Sequence, residues 1–170
     1  MSMISNFLRI SENELGDYLN DSALLEDKIY NETINIEDDA NYLDIDKSWG
    51  GIFYVLTGCS LEEMAQAEEP FSWIIFGDER IDEDQDLGYG PAGYVTAVQV
   101  KDISNELNKI STEDFKARFN PDDMTEKSVY PEIWNEGDEA LEYLLINFEK
   151  LKEFYNQAAI NDQAVITYIN

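Results

Sequence analysis

Residues 138–169 read DEALEYLLINFEKLKEFYNQAAINDQAVITYI, and two different periods follow one another within this stretch. Leu141, Leu144, Leu145, Phe148, Leu151 and Tyr155 recur at three and four residues, which draws one apolar stripe along a helix from Asp138 to about Ala159. The spacing then changes. Ala164-Val-Ile-Thr-Tyr-Ile169 is rich in β-branched and aromatic residues and predicts a strand. At the other end of the chain, residues 1–10 carry Ile4, Phe7, Leu8 and Ile10 in loose alternation, a second strand. The closing strand is expected to pair beside the opening one, so that a small sheet joins the two chain ends.

Helix signals dominate what lies between. Ser11 and Glu14 form a capping box, in which the hydroxyl takes a free backbone N–H and the carboxylate reaches back, for a helix to about Leu19. Asp21 or Ser22 caps a second helix through Tyr30, and the polar residues 31–42 read as loop. For the apolar run 49–57, Asp46 is the expected N-cap and Gly58 the C′ residue, although Ile52–Leu56 alone would also suit a strand. Gly50-Gly51 weakens such a helix by about 1 kcal/mol per glycine against alanine, which implies close packing of another element there. Pro70 opens a short apolar segment that Gly77 ends. Residues 78–90 read as an acidic loop, and Ala92–Val95 as a short strand. Thr96 and Gln99 form another capping box, for a helix to about Ile110. Ser111-Thr112 and Asn120-Pro121 start two further helices, and Tyr130-Pro131 marks a turn. There is no repeat, low-complexity tract or Pro/Ser-rich linker. The expectation is one compact α+β domain over residues 1–170, mostly helical, with a small sheet that includes the N- and C-terminal strands.

The composition excludes whole chemistries. The 170 residues include 37 Asp or Glu, 11 Lys or Arg and no histidine, for a formal charge of -26. A Ser-His-Asp triad, a His-assisted cysteine nucleophile and a histidine-ligated zinc site therefore cannot be assembled from this chain alone. Hydrophobic residues make up 44%, too many for a disordered acidic tail. The single cysteine, Cys59, cannot form an internal disulfide and has no cationic sequence neighbour to lower its pKa. Residues 1–10 show no basic segment followed by a long apolar one, and no apolar run approaches the ~20 residues a bilayer requires. A cytoplasmic location is expected. Such acidity repels nucleic-acid phosphates and anionic membranes, and it attracts basic proteins.

Several motifs invite a chemical reading. Asp82-Glu-Asp-Gln-Asp86 places carboxylates at alternate positions, as a calcium loop does, but the EF-hand's glycine at position six and glutamate at position twelve are here Leu87 and Gly93. No metal or other cofactor is assigned. Asp44 and Asp46, beside Lys47 and Trp49, are the candidate acid/base pair, although a helix cap and an ion pair to Lys47 are the more ordinary reasons for such residues. Gly88-Tyr89-Gly90-Pro91 lacks the residues that complete a phosphate-binding loop and reads as a tight turn. Tyr130-Pro131-Glu132-Ile133-Trp134 sets two aromatics close together, either as a lid over the core or as an anchor for a partner.

Taken together, Leu43-Asp44-Ile45-Asp46-Lys47-Ser48-Trp49, Leu56-Thr57-Gly58, Phe76-Gly77, Gly88-Tyr89-Gly90-Pro91-Ala92, Tyr130-Pro131 and Ala164–Ile169 resemble the YfbM-like family of uncharacterised bacterial proteins. The resemblance runs over nearly the whole chain. It implies a compact, mainly helical α+β domain with a small sheet, and it supplies no reaction and no catalytic residues.

The expected function is that of a non-enzymatic acidic interaction domain, such as the neutralising, immunity-type partner of a basic protein or toxin. Its expected contacts are Asp82, Glu83, Asp84 and Asp86, with Tyr89 or Trp134 as anchors. Two rivals stand beside it. One is a small-molecule-binding or hydrolytic domain using Asp44 and Asp46 beside an aromatic cleft. The other is a DNA mimic that occupies a nucleic-acid-binding protein.

Overall fold

The computed structural model describes residues 2–170. The chain ends do meet. Strand β1 (Ser5–Ile10) pairs antiparallel with β5 (Ala164–Ile169), in register from Ser5 opposite Ile169 to Ile10 opposite Ala164. The sheet is completed by β2 (Tyr42–Asp44), β3 (Glu79–Arg80) and β4 (Gly93–Val95), in the order β2-β1-β5-β4-β3 with every pair antiparallel. Seven helices surround it: α1 (Glu12–Asn20), α2 (Ala23–Ile29), α3 (Trp49–Thr57), α4 (Ala97–Leu107), α5 (Thr112–Arg118), α6 (Pro121–Glu126) and α7 (Asp138–Ile160). None of the described helices is long and apolar enough to cross a membrane.

Strand alternation divides the interior in two. Phe7 and Val165 point into a large core with α3, α4 and α7, while Leu8, Ile10, Ile166 and Tyr168 point into a smaller one with α1 and α2. Both faces of the central strands are therefore covered, which explains why β5 is apolar but for Thr167 and why Ser5 and Asn6 of β1 are buried.

The two expected capping boxes form, at Ser11–Glu14 and Thr96–Gln99; the Ser111 cap proves to be a third box, with Asp114, and Pro121 occupies the first turn of α6. Ahead of α2 the working cap is Asp21, whose carboxylate accepts the Ala23 N–H at 3.2 Å, while Ser22 makes no cap bond. Two loop readings need amendment: Tyr42 belongs to β2, and Glu79–Arg80 forms β3. Both are very short edge strands that the sequence pattern does not announce.

The run 49–57 is helical, and Gly58 ends it at φ +74°. Trp49 to Leu56 are all buried. A run enclosed on every side must satisfy its own backbone groups, and a helix does so internally. Asp46 is not its N-cap. The helix is entered through a 3₁₀ turn over Asp46–Ser48, and Ser48 stands at the cap position without a side-chain bond. The glycine pair has the expected purpose. A Cβ on Gly50 would lie 2.5 Å from the Tyr130 carbonyl oxygen, and one on Gly51 would lie 2.5 Å from Trp134 Cη2 and 2.7 Å from Leu144 Cδ2. Trp49 stacks on Tyr130, with ring centroids 5.1 Å apart, and its indole N–H donates to the Met3 carbonyl at 2.9 Å.

On α7 the buried face runs through Ala140, Leu144, Phe148, Leu151, Tyr155 and Ala158, with Phe154 beside it. Leu141 and Leu145 from the expected stripe are only half-buried. Their flank turns outward beside β2.

Two outcomes follow from this packing. Gly51→Ala is expected to destabilise the fold by about 1–3 kcal/mol, because the added methyl overpacks a filled site. Gly16→Ala, with nothing within 4 Å of the added Cβ on α1, is expected to stabilise it by about 0.5–1 kcal/mol. Urea midpoints of the two variants check both signs. Burial, reinforced by Glu14, Asp17 and Asp39, pushes the Tyr18 hydroxyl up to about 12, and burial also raises those of Tyr155 and Tyr168. A raised folded pKa gives stability that is complete below the unfolded value of about 10 and is lost as pH climbs through the folded one. With no histidine to titrate, the urea midpoint should stay level between about pH 6 and 9 and fall from about pH 10 towards 12.

Candidate functional site

Asp44 and Asp46 come from the end of β2 and the turn that follows. Asp44 is exposed, and its carboxylate accepts the Asp46 N–H at 2.5 Å, closing that turn. Asp46 has φ +52°, which the turn imposes, and its carboxylate accepts the Tyr143 hydroxyl at 2.7 Å. Tyr143 in turn accepts the Lys47 backbone N–H at 3.1 Å. Burial first, and the hydrogen bond to Asp46 second, raise the Tyr143 hydroxyl pKa. The ion pair of Asp44 or Asp46 with Lys47 is not among the lysine–carboxylate pairs of the described residues. Asp44 and Asp46 thus fix the β2–α3 connection and tie it to α7. The Asp44 carboxylate is turned to the Asp46 backbone and the Asp46 carboxylate to a phenol.

The acidic loop is also more ordered than its composition suggests. Asp82 accepts the Ser22 hydroxyl at 2.7 Å and the Asp84 N–H at 3.0 Å, and these bonds hold its pKa below the ordinary aspartate value. Asp86 accepts the N–H groups of Gly88 and Gly90 at 2.9 and 3.2 Å, with the same effect. The side chain of Gln85 is buried and donates to the Ser22 carbonyl and to Glu26. The Tyr30 hydroxyl donates to the Leu87 carbonyl at 2.9 Å, and the Tyr89 N–H donates to the Ile169 carbonyl at 3.1 Å. Residues 82–90 are therefore clamped to α2 on one side and to the end of β5 on the other.

Those bonds sort the carboxylates by what they have left to offer. Asp82 and Asp86 build the loop. Glu83, Asp84 and Asp27 are exposed, and their side chains make neither a hydrogen bond nor an ion pair with the described residues. Lys28, the one lysine of α2, pairs instead with Glu14 and Asp39. Across the described residues, only seven of the 37 carboxylates pair with a lysine.

Of the two expected anchors, Tyr89 is 43% exposed beside this loop. Trp134 is 1% exposed, donates its indole N–H to the Val129 carbonyl at 2.6 Å and packs against Gly51. It is a core residue, and the lid reading describes the 130–134 segment correctly. Tyr30, 55% exposed, takes the place beside Tyr89, and Glu26 and Asp27 join the acidic face. The sequence alone did not join these residues to the loop, since more than fifty positions separate them from it. The available hint was the i, i+4 spacing of Glu26 and Tyr30 on a predicted helix. Cys59 is buried, and no group of three or more Cys, Asp or Glu among the described residues is arranged to hold a metal ion.

Tyr143→Phe is expected to lower stability by about 1–2 kcal/mol, since it leaves a half-buried carboxylate and the Lys47 N–H without their partner. Asp46→Asn, which keeps an acceptor, should cost less than Asp46→Ala in the same urea titration. On the acidic face, Asp86→Ala should raise amide hydrogen exchange at Gly88 and Gly90 while leaving exchange in β1 unchanged.

The comparisons agree with the resemblance seen in the motifs. The crystal structure of YfbM from Escherichia coli, described as a protein of unknown function, is similar at 19% sequence identity with a TM-score of 0.73. The match covers 98% of this chain and 99% of that one, and at this identity it speaks for the fold. No curated protein matches. A family model described as a domain of unknown function, DUF1877, matches residues 1–168. Because that match takes in every strand and helix from β1 to all but the end of β5, the chain belongs to the DUF1877 family.

Proposed function

We propose that this protein is a non-enzymatic acidic interaction domain that docks a basic protein on the face formed by α2 and residues 82–90, in the manner of a neutralising partner of a toxin. The observation that carries the reading is the set of exposed, unpaired carboxylates Asp27, Glu83 and Asp84, held on a clamped loop beside Tyr30 and Tyr89. A net charge of -26 accelerates encounter with a cationic surface by long-range attraction. A loop already ordered loses little freedom when it is covered, and exposed tyrosines supply contact area that slows departure. No observation favours the hydrolytic reading through Asp44 and Asp46, or the nucleic-acid-mimic reading, over this one.

The test begins with this protein as bait in a lysate of its native organism, washed at about 0.15 M and then about 0.5 M salt, where screening shortens from about 8 Å towards 3 Å. A single basic protein that survives the second wash is then carried into binding kinetics. Combined Asp27→Asn, Glu83→Gln and Asp84→Asn substitutions remove charge without touching the bonds that build the loop. They should slow association by about tenfold and flatten its salt dependence, with a smaller change in dissociation. Unchanged association on that triple variant would overturn the assignment of this face. A capture that is lost with salt would overturn the interaction reading itself.

A further inference from the structure

On the opposite side of β1 from the acidic face, the outward flank of α7 and the β1–β2 edge enclose an open groove of about 760 Å³. One part of its wall is apolar, made by Leu43 from β2 and by Leu145, Ile146 and Phe154 from α7. Ile146 is 53% exposed. The volume lies within the roughly 300–1,000 Å³ of small-molecule sites.

Two cations stand in this groove, and neither is paired. Arg9 projects from β1, lies with its guanidinium carbon 5.4 Å from the centroid of the Phe154 ring, and donates from Nη2 to the Ala40 carbonyl at 2.9 Å. Its Nε is buried and has no acceptor. Lys150 lines the same groove, and neither it nor Arg9 forms an ion pair with any of the described residues. In a chain with 37 carboxylates, a guanidinium fixed by a ring and a carbonyl yet without an anion is complementary to an anion from outside. A carboxylate is an acceptor whose geometry matches the guanidinium fork.

The rest of the lining narrows the class. Glu149 and Glu153 also border the groove and are exposed. With the overall charge, they disfavour a ligand carrying several negative charges, such as a nucleotide or a polyphosphate. We propose that this groove binds a small organic monocarboxylate with an apolar body, its head on Arg9 and Lys150 and its tail along Leu43, Leu145, Ile146 and Phe154. The site is separate from Asp44 and Asp46 and from the face assigned to a basic partner, and does not depend on that assignment.

The experiment is a titration of the full chain with octanoate, followed by amide chemical shifts in NMR, with octanol as the uncharged control. Saturable shifts centred on Leu43, Ile146 and Phe154 are expected, with octanol binding more weakly. Lys150→Gln, an exposed substitution that leaves the core intact, should weaken octanoate by about tenfold, and Arg9→Gln by at least as much. Arg9→Lys, which keeps charge but loses the fork, should fall between wild type and Arg9→Gln. Should Arg9→Gln fail to fold, Lys150→Gln decides alone. Shifts that do not saturate, shifts centred elsewhere, equal binding of octanol, or an unaltered affinity in Lys150→Gln would each overturn the proposal.

Discussion

A helix with no solvent face stands at the middle of this protein, and the rest of the molecule is arranged by what lies against it. The bare glycine edge of α3 sets the approach of the 130–134 segment on one residue and of Trp134 and Leu144 on the next. That closeness brings Tyr130 over Trp49 and seats α7 where Phe148, Leu151 and Tyr155 can fill the core between helix and sheet. Interior packing is dense enough that a single methyl in such a contact is felt throughout it. Gly50 and Gly51 give up helix propensity so that the neighbours can close in.

The acidic exterior works against this core. With only seven carboxylates paired to lysines among the described residues, most of the negative charge repels itself across the surface, and the folded state concentrates it. Individual carboxylates nevertheless contribute to folding where they meet backbone N–H groups: Asp21 and Asp44 at turns, Asp82 and Asp86 in the loop, Glu14 and Asp114 in capping boxes. The acidity therefore has two populations. One closes the chain's own turns, and the other is left facing outward, as Asp27, Glu83 and Asp84 are beside α2.

Much of the fold was legible in the sequence because its signals are local. Capping boxes, the three- and four-residue spacing of α7 and the β-branched run of β5 each lie within one element and declare it. The Gly50-Gly51 pair foretold close packing but not its partners, since Tyr130, Trp134 and Leu144 are about eighty to ninety residues away. The Asp46 cap failed for a similar reason: a phenol from α7 claims that carboxylate, and a 3₁₀ turn replaces the cap. The acidic loop was visible as a charge run, yet composition does not separate carboxylates that build a loop from those left free. The hydrogen bonds to Ser22, Gly88 and Gly90 make that separation. Trp134 looked like either lid or anchor until its indole was found beneath the surface against α3.

The pairing of β1 with β5 has a consequence for how the protein comes into being. Strand β1 leaves the ribosome about 150 residues before its main partner β5, so Leu8 and Ile10 wait without Ile166 and Ala164 beside them. At about 5–20 residues per second, the roughly 150 residues between them take about eight to thirty seconds. Through that interval α1 and α2 have half of their sheet face to cover, and the nascent chain displays an open apolar edge.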